Sequence, residues 1–364
     1  MVAEADHRHC CEPFRHRPGI DLIMRAFTAD GVGAEITAIE YELPARSVGN
    51  EELAALHPAW NMPQVQLKAG VYRRYWCAAD ETALDLAERA CRKLASRADL
   101  SRIGALLFCT QTPDYIMPPN AGLLQHRLGL PRSIAALDYS LACSGFVHGL
   151  YLADALVRAR STEQVLLVTA DTYSKLMHPD DRGPTTLFGD GAAATLISRA
   201  SARMGHFIVG TDGGEASCFR IPAGGARLPH SAETSRPVMD AFGNVRSADR
   251  IQMNGAHVLD FFRRELPRAV TSLFRQAEVT VGEIDLVVLH QASAIAMDMV
   301  FRELDVPPAK RYSNLARVGN TVSASIPMAL RDAEQEGVLR PGMLVLLVGF
   351  GVGLSWSGCL VRWK

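Results

Sequence analysis

The sequence predicts an α/β protein in which one structural unit is written twice. Past residue 30, short β-branched runs alternate with stretches of helical spacing, the pattern of helices layered on a mostly parallel sheet. Segments of the second half also answer those of the first in order. Ala135–Cys143 corresponds to Arg311–Ser323, each a short strand entering a small-residue turn and then a helix, and Gln164–Thr169 corresponds to Met343–Val348. The duplication point falls near residue 200. It divides the chain into a disordered leader over 1–29, an N-terminal half over 30–203 and a C-terminal half over 204–364.

In chain order, the expected strands of the first half are Ala34–Glu40, Ala105–Cys109, Ala135–Tyr139, Gln164–Thr169 and Ala192–Ile197. Those of the second half are His206–Thr211, Leu286–Leu289, Arg311–Ser313, Met343–Val348 and Gly358–Arg362. A helix is expected between Asp80 and Leu94, capped by Asp80, with Leu84, Ala87, Cys91 and Leu94 inward. From Phe146, apolar positions at Gly149, Leu150, Ala153, Leu156 and Val157 recur at helical spacing. A further helix begins near Gly255 and is expected to kink or end at Pro267. Gly213–Arg250 has little periodicity and reads as a loop long enough to cover a site.

Composition narrows the function classes. With 364 residues and a net charge of -1, the chain has core-building material and no electrostatic reason to bind nucleic acid or an anionic membrane. No apolar run is long enough for a bilayer span. The eight cysteines form no CxxC pair and read as reduced thiols of a cytoplasmic protein. His7, His9, Cys10, Cys11 and His16 form a metal-like tract in the leader, where an unstructured segment is the plainer reading, and no secretory signal core is present.

Four places carry chemistry. Cys143, in Asp138–Phe146, sits where a strand gives way to a helix, so free N–H groups and the helix dipole are expected to favour its thiolate. His290 follows the apolar run Leu286–Leu289, at the strand end that opens on a ligand crevice in α/β sheets. Asn320 stands in a strand-to-helix turn of the second half, and Gly349-Phe350-Gly351-Val352-Gly353 allows close backbone approach to a ligand. Each has a plainer use: a packing cysteine, a core histidine, a turn asparagine, a glycine turn. Together they fit thioester chemistry, with a sulfur nucleophile, backbone donors for an oxyanion, and imidazole and carboxamide donors for an enolate.

These blocks resemble β-ketoacyl-acyl carrier protein synthase III. The resemblance rests on Asp138–Phe146, Leu187-Phe188-Gly189-Asp190-Gly191-Ala192, His290-Gln291-Ala292, Asn320–Pro327 and Gly349–Trp356, in order from about residue 33 to the C-terminus. It implies a thiolase-type five-layer αβαβα fold, usually a homodimer, and decarboxylative Claisen condensation of an acyl group from acyl-coenzyme A with malonyl-acyl carrier protein. By position it implies Cys143 as acylated nucleophile, His290 and Asn320 as the decarboxylating pair, and the N–H groups of Cys143 and Val352 as oxyanion hole. It further implies substrate contacts at Lys68, Met117 (inserted into the partner subunit's acyl pocket), Arg182, Asn254, Ser293 and Phe350. No metal or other cofactor is implied, because the thioesters bring their own activation.

Ser293 stands where well-known members have asparagine, Gln64 where they have an aromatic, Lys68 where arginine is common, and Ala294–Asp298 lacks their basic residue. These departures point to a specialised pathway member. Two other enzyme readings share the residues: a same-fold acyltransferase to an alcohol or amine, and a papain-like Cys-His-Asn hydrolase, which lacks its expected Cys-Gly-Ser/Ala-Cys neighbourhood here. A non-catalytic partner subunit is the third class, and it has no need of an intact Cys-His-Asn set.

Overall fold

The structure, a computed structural model, describes residues 31–201, 203–241 and 243–364. The expected leader and its His/Cys tract lie outside the described residues.

Two five-stranded sheets organise the chain. The first contains β1 (Val32–Glu42), β2 (Ile103–Cys109), β3 (Ala135–Tyr139), β4 (Gln164–Asp171) and β5 (Gly191–Ser201), side by side in the order β1-β5-β4-β2-β3. The second contains β6 (Met204–Thr211), β7 (Leu286–Leu289), β8 (Arg311–Tyr312), β9 (Leu344–Gly351) and β10 (Ser355–Arg362), in the order β8-β7-β9-β10-β6. Counted along the chain within each half, both sheets run first-fifth-fourth-second-third. The pairing directions match as well, so the repetition extends from the sequence to the topology.

The sheets are mostly parallel, as expected: in each, four strands run one way and the fifth runs against them. In each sheet the second strand pairs in parallel with the third and the fourth, while the fifth pairs antiparallel with the fourth and the first. The cause is visible between β9 and β10, where a link of a few residues joins neighbours, and so short a link can only join antiparallel strands.

Five layers follow from which faces are apolar. The helices α2 (Gly145–Arg158) and α5 (Ser325–Gln335) lie between the sheets, where Phe146, Leu150, Ile326 and Leu330 pack with Leu107, Leu167, Val288 and Leu347. The helix α1 (Ala83–Ala95) covers the outer face of the first sheet through Leu84, Ala87, Cys91 and Leu94. The helices α3 (Gly255–Ala277) and α4 (Ala294–Glu303) cover that of the second, where Phe262, Leu266 and Val270 meet Val287, Leu346 and Val348. Val345 to Val348 are all buried, and each such side chain contributes about 1.5–3 kcal/mol.

Two helix expectations are corrected. The α1 cap is Thr82, not Asp80: the Asp85 N–H donates to Thr82 Oγ1 at 3.3 Å, and Asp85 Oδ2 accepts the Thr82 N–H at 3.0 Å. This reciprocal pair satisfies two free donors, which Asp80, outside the turn, does not. Pro267 does not end α3, which runs unbroken from Gly255 to Ala277. The buried stripe Phe262, Leu266, Val270 and Leu273 holds the helix to the sheet, and the carbonyl that Pro267 leaves without a donor belongs to exposed Arg263 on the water side.

Candidate active site

Cys143 sits in a single 3-10 turn, Ala142–Ser144, that leads directly into α2. The second half repeats this elbow at Val322–Ala324 before α5. The residues opening the two turns, Ala142 and Val322, both adopt positive φ, 42° and 54°, a conformation that side-chain-bearing residues avoid by about 1–2 kcal/mol.

The first elbow presses against β9. A Cβ on Gly351 would stand 2.5 Å from Cys143 Cβ and 2.9 Å from its sulfur, and one on Gly349 would stand 2.9 Å from the Cys143 carbonyl oxygen. Glycine at these two positions lets the turn carry the sulfur against the strand end.

The backbone N–H groups of Cys143 and Val352 act to lower the pKa of the sulfur. Burial pushes the thiol up more strongly, and the Asp171 carboxylate adds to the push. The net direction therefore runs against the expected thiolate.

Opposite the sulfur stand His290 and Asn320. His290 follows β7 and is 2% exposed, and burial lowers its pKa to about 3, so the ring is neutral. Its Nδ1 lies 2.7 Å from Ser325 Oγ, which accepts the Gln291 N–H at 3.4 Å. When the Ser325 hydroxyl donates to Nδ1, the ring proton stands on Nε2.

Asn320 is gripped through its backbone, donating to the Leu187 carbonyl at 3.0 Å and accepting from the Gly189 N–H at 2.9 Å. Its side-chain oxygen accepts the Val322 N–H at 2.9 Å, and its Nδ2 donates to the Ala292 carbonyl at 3.2 Å. The same Nδ2 stands 3.4 Å from His290 Nε2. In that tautomer two N–H donors share one place, and Cys143, His290, Asn320 and Phe350 line the same cleft, whose empty space including its mouth is about 670 Å³. Phe350 meets the His290 ring edge-on at 5.6 Å.

The remaining expected positions divide. Ser293 lines this cleft and caps α4, its Oγ accepting the Ala296 N–H at 3.3 Å. Asn254 caps α3 through the His257 N–H at 3.2 Å, between the cleft-lining Met253 and Gly255. Lys68 is exposed beside Ala69 and Gly70, where the chain packs closely on Ala294. Arg182 is half-buried in the short helix that brings Leu187 to the cleft but does not itself line it. Met117 is 79% exposed and lines neither this cleft nor the second cavity described below.

Family models of 3-oxoacyl-[acyl-carrier-protein] synthase III match residues 137–213, and its C-terminal part residues 274–363. The β-ketoacyl-[acyl-carrier-protein] synthase III of Deinococcus deserti is 33% identical over 93% of this chain and 94% of its own length. The chain belongs to the 3-oxoacyl-[acyl-carrier-protein] synthase III family. A crystal structure of a 3-oxoacyl-(acyl-carrier-protein) synthase III superposes with a TM-score of 0.89 at 42% identity, covering 91% of this chain and 100% of the other. The acetoacetyl CoA synthase NphT7 of a Streptomyces species is 34% identical over 88% of this chain and 96% of its own. This synthase is accordingly a condensing transferase of thiolase fold, making 3-oxoacyl products by decarboxylative condensation in fatty acid or polyketide synthesis. Membership sets aside the hydrolase reading.

Three features of the synthase escaped the sequence. Ser325 was one letter in a small-residue run, and only its placement at the first turn of α5 brings it to His290. Asp171 ends β4 beneath both elbows, accepting from the Gln111 N–H at 2.8 Å and the Ser323 N–H at 3.2 Å, and burial pushes its pKa to about 7. A second cavity, lined by Gln111, Tyr173, Ile251 and Val352 among others, shares Phe219 as a wall with the cleft. Phe219 belongs to the 213–250 segment, so that stretch does reach the site, though only in part.

Proposed function

We propose that Cys143 carries the acyl primer and that His290 and Asn320 hold the enolate made from a malonyl thioester. In the first half-reaction the Cys143 thiol gives up its proton and its sulfur attacks the acyl-coenzyme A carbonyl. Coenzyme A leaves as a thiol. In the second, the malonyl thioester loses carbon dioxide, and the oxygen that gains charge accepts from His290 Nε2–H and Asn320 Nδ2–H. The new carbanion then attacks the acyl-cysteine, the carbon–sulfur bond breaks, and the 3-oxoacyl thioester departs. The Cys143 and Val352 N–H groups serve the oxyanion of each addition. The observation that carries this reading is the 3.4 Å approach of the two donor nitrogens in a cleft shared with the sulfur.

Lys68, Arg182, Asn254 and Ser293 lie along the pantetheine path in this reading, and an acyl carrier protein delivers the extender. No cofactor beyond the thioesters is needed. A homodimer is supported by the outer edge of β3, which has no neighbour among the described residues, and by the exposed Leu137, Tyr115, Ile116 and Met117. A cytoplasmic setting is supported by the free state of the described cysteines, and no helix of the described residues is long and apolar enough to cross a membrane. Weighing the Cys143 adduct after incubation with a panel of acyl-coenzyme A compounds, and measuring carbon dioxide from malonyl thioester, tests the proposal. Adduct formation without carbon dioxide release favours acyl transfer to an alcohol or amine instead.

A further inference from the structure

We propose that Glu215, Cys218 and His257 form a zinc-type cation site on the rim of the cleft, separate from the reacting groups. One ligand atom from each lies within 4.8 Å of the others. His257 Nε2 is 2.7 Å from Glu215 Oε2, and Cys218 Sγ is 3.4 Å from the same oxygen.

The sequence builds this cluster from two pieces. Glu215 and Cys218 are three apart in the 3-10 segment Gly213–Cys218, and at three residues per turn that spacing stacks their side chains on one face. His257 projects from the first turn of α3, which the Asn254 cap fixes. The Asn254 N–H donates to the Cys218 carbonyl at 2.8 Å, locking the two pieces together.

The donor set selects the ion. A thiolate, an imidazole and one carboxylate suit zinc and disfavour calcium or magnesium, which take oxygen ligands. Metal bonds of about 2.0–2.3 Å in a tetrahedron put ligand atoms about 3.5 Å apart, so the three atoms need only small side-chain rotations. The Glu215 and His257 side chains are 29% and 44% exposed, which leaves a fourth position open to water. Binding exchanges the Cys218 S–H proton for a sulfur–metal bond, and the neutral His257 ring shifts its Nε2 proton to Nδ1 as Nε2 and the Glu215 carboxylate take the metal. One proton leaves to solvent and nothing is oxidised or reduced.

The residues that follow these ligands form the cleft: Phe219 comes after Cys218 and Val258 after His257, and both are walls. A bound cation therefore ties two walls of the cleft to each other. On the proposed function, that restrains the rim that pantetheine must pass.

The test titrates the full-length, metal-stripped protein with Co²⁺ as a spectroscopic stand-in and with Zn²⁺ against a chromophoric chelator. One equivalent should bind with a thiolate-to-cobalt charge-transfer band and release of one proton. Cys218→Ser should abolish the band. His257→Ala should weaken affinity by no less than the about 10–100-fold that loss of even an outer partner costs. The rival tract in the leader is controlled by Cys10→Ser/Cys11→Ser, which should keep the band. A band that survives Cys218→Ser, or disappears with the leader cysteines, overturns the assignment, as does no band at all. Zn²⁺ should slow turnover of the wild type and not of Cys218→Ser, and equal slowing in both overturns the link to the rim. The Cys143 adduct, weighed in the same samples, reports separately on the condensing chemistry.

Discussion

Asn320 turns its amide nitrogen to within 3.4 Å of His290 Nε2 while its amide oxygen is held on the Val322 N–H. The amide cannot flip without losing that bond, so Asn320 presents its N–H, and His290 presents Nε2–H beside it when Ser325 donates to Nδ1. Replacing either by alanine removes one donor from the enolate. Carbon dioxide release from malonyl thioester should fall about 10²–10³-fold, while the Cys143 acyl adduct still forms and is read by mass. Loss of both half-reactions to the same degree would contradict the assigned roles.

Ser325 acts through His290 by setting which nitrogen bears the proton. Ser325→Ala should lower condensation about tenfold, a second-sphere effect of the usual size, with acylation spared. The ¹⁵N shifts of the His290 ring separate this from a packing defect. They should report mixed tautomers in the variant and Nε2–H in the wild type.

Gly351 leaves room for the nucleophile. Gly351→Ala would put a methyl 2.9 Å from the sulfur, and crowding of this kind costs about 1–3 kcal/mol. The variant should fold, as seen by circular dichroism, yet form little acyl adduct.

Asp171 opposes ionisation of Cys143, and its own pKa near 7 makes that opposition grow as pH rises through neutrality. Asp171→Asn removes the charge at constant size. Alkylation of Cys143 by iodoacetamide at pH 7–8 should then be faster than in the wild type, with the thiol's titration moved to lower pH. An unchanged or slower rate would remove Asp171 from the account.

Thr82 closes the start of α1 far from the chemistry. Thr82→Ala should cost about 1 kcal/mol, visible as a lower denaturant midpoint with turnover unchanged.

Much of this molecule was legible because its signals were local or repeated. The strand Leu286–Leu289 was bounded to the residue by a run of four apolar side chains. Cys143 and His290 were legible because each closely follows a strand of a duplicated unit, whereas Asn320, past the short helix Leu315–Val318, was legible through the small-residue turn that answers that of Cys143. What stayed hidden depended on distance in the chain. Asp171 lies 152 residues from Ser323, and no spacing rule joins them. The upward push on the Cys143 thiol was hidden for a similar reason, since a turn before a helix is visible in sequence while the surrounding desolvation is not. Pro267 shows the opposite case, a strong local stop signal at which α3 does not end, the apolar stripe binding it to its sheet on both sides.

The position of Phe219 has a consequence for altering substrate choice. Because Phe219 lines both cavities, trimming it to admit bulkier primers enlarges the two spaces together. Breadth of primer use and containment of the reactive intermediate are then set by one side chain, and variants selected for the first should show more hydrolysis of the acyl-enzyme.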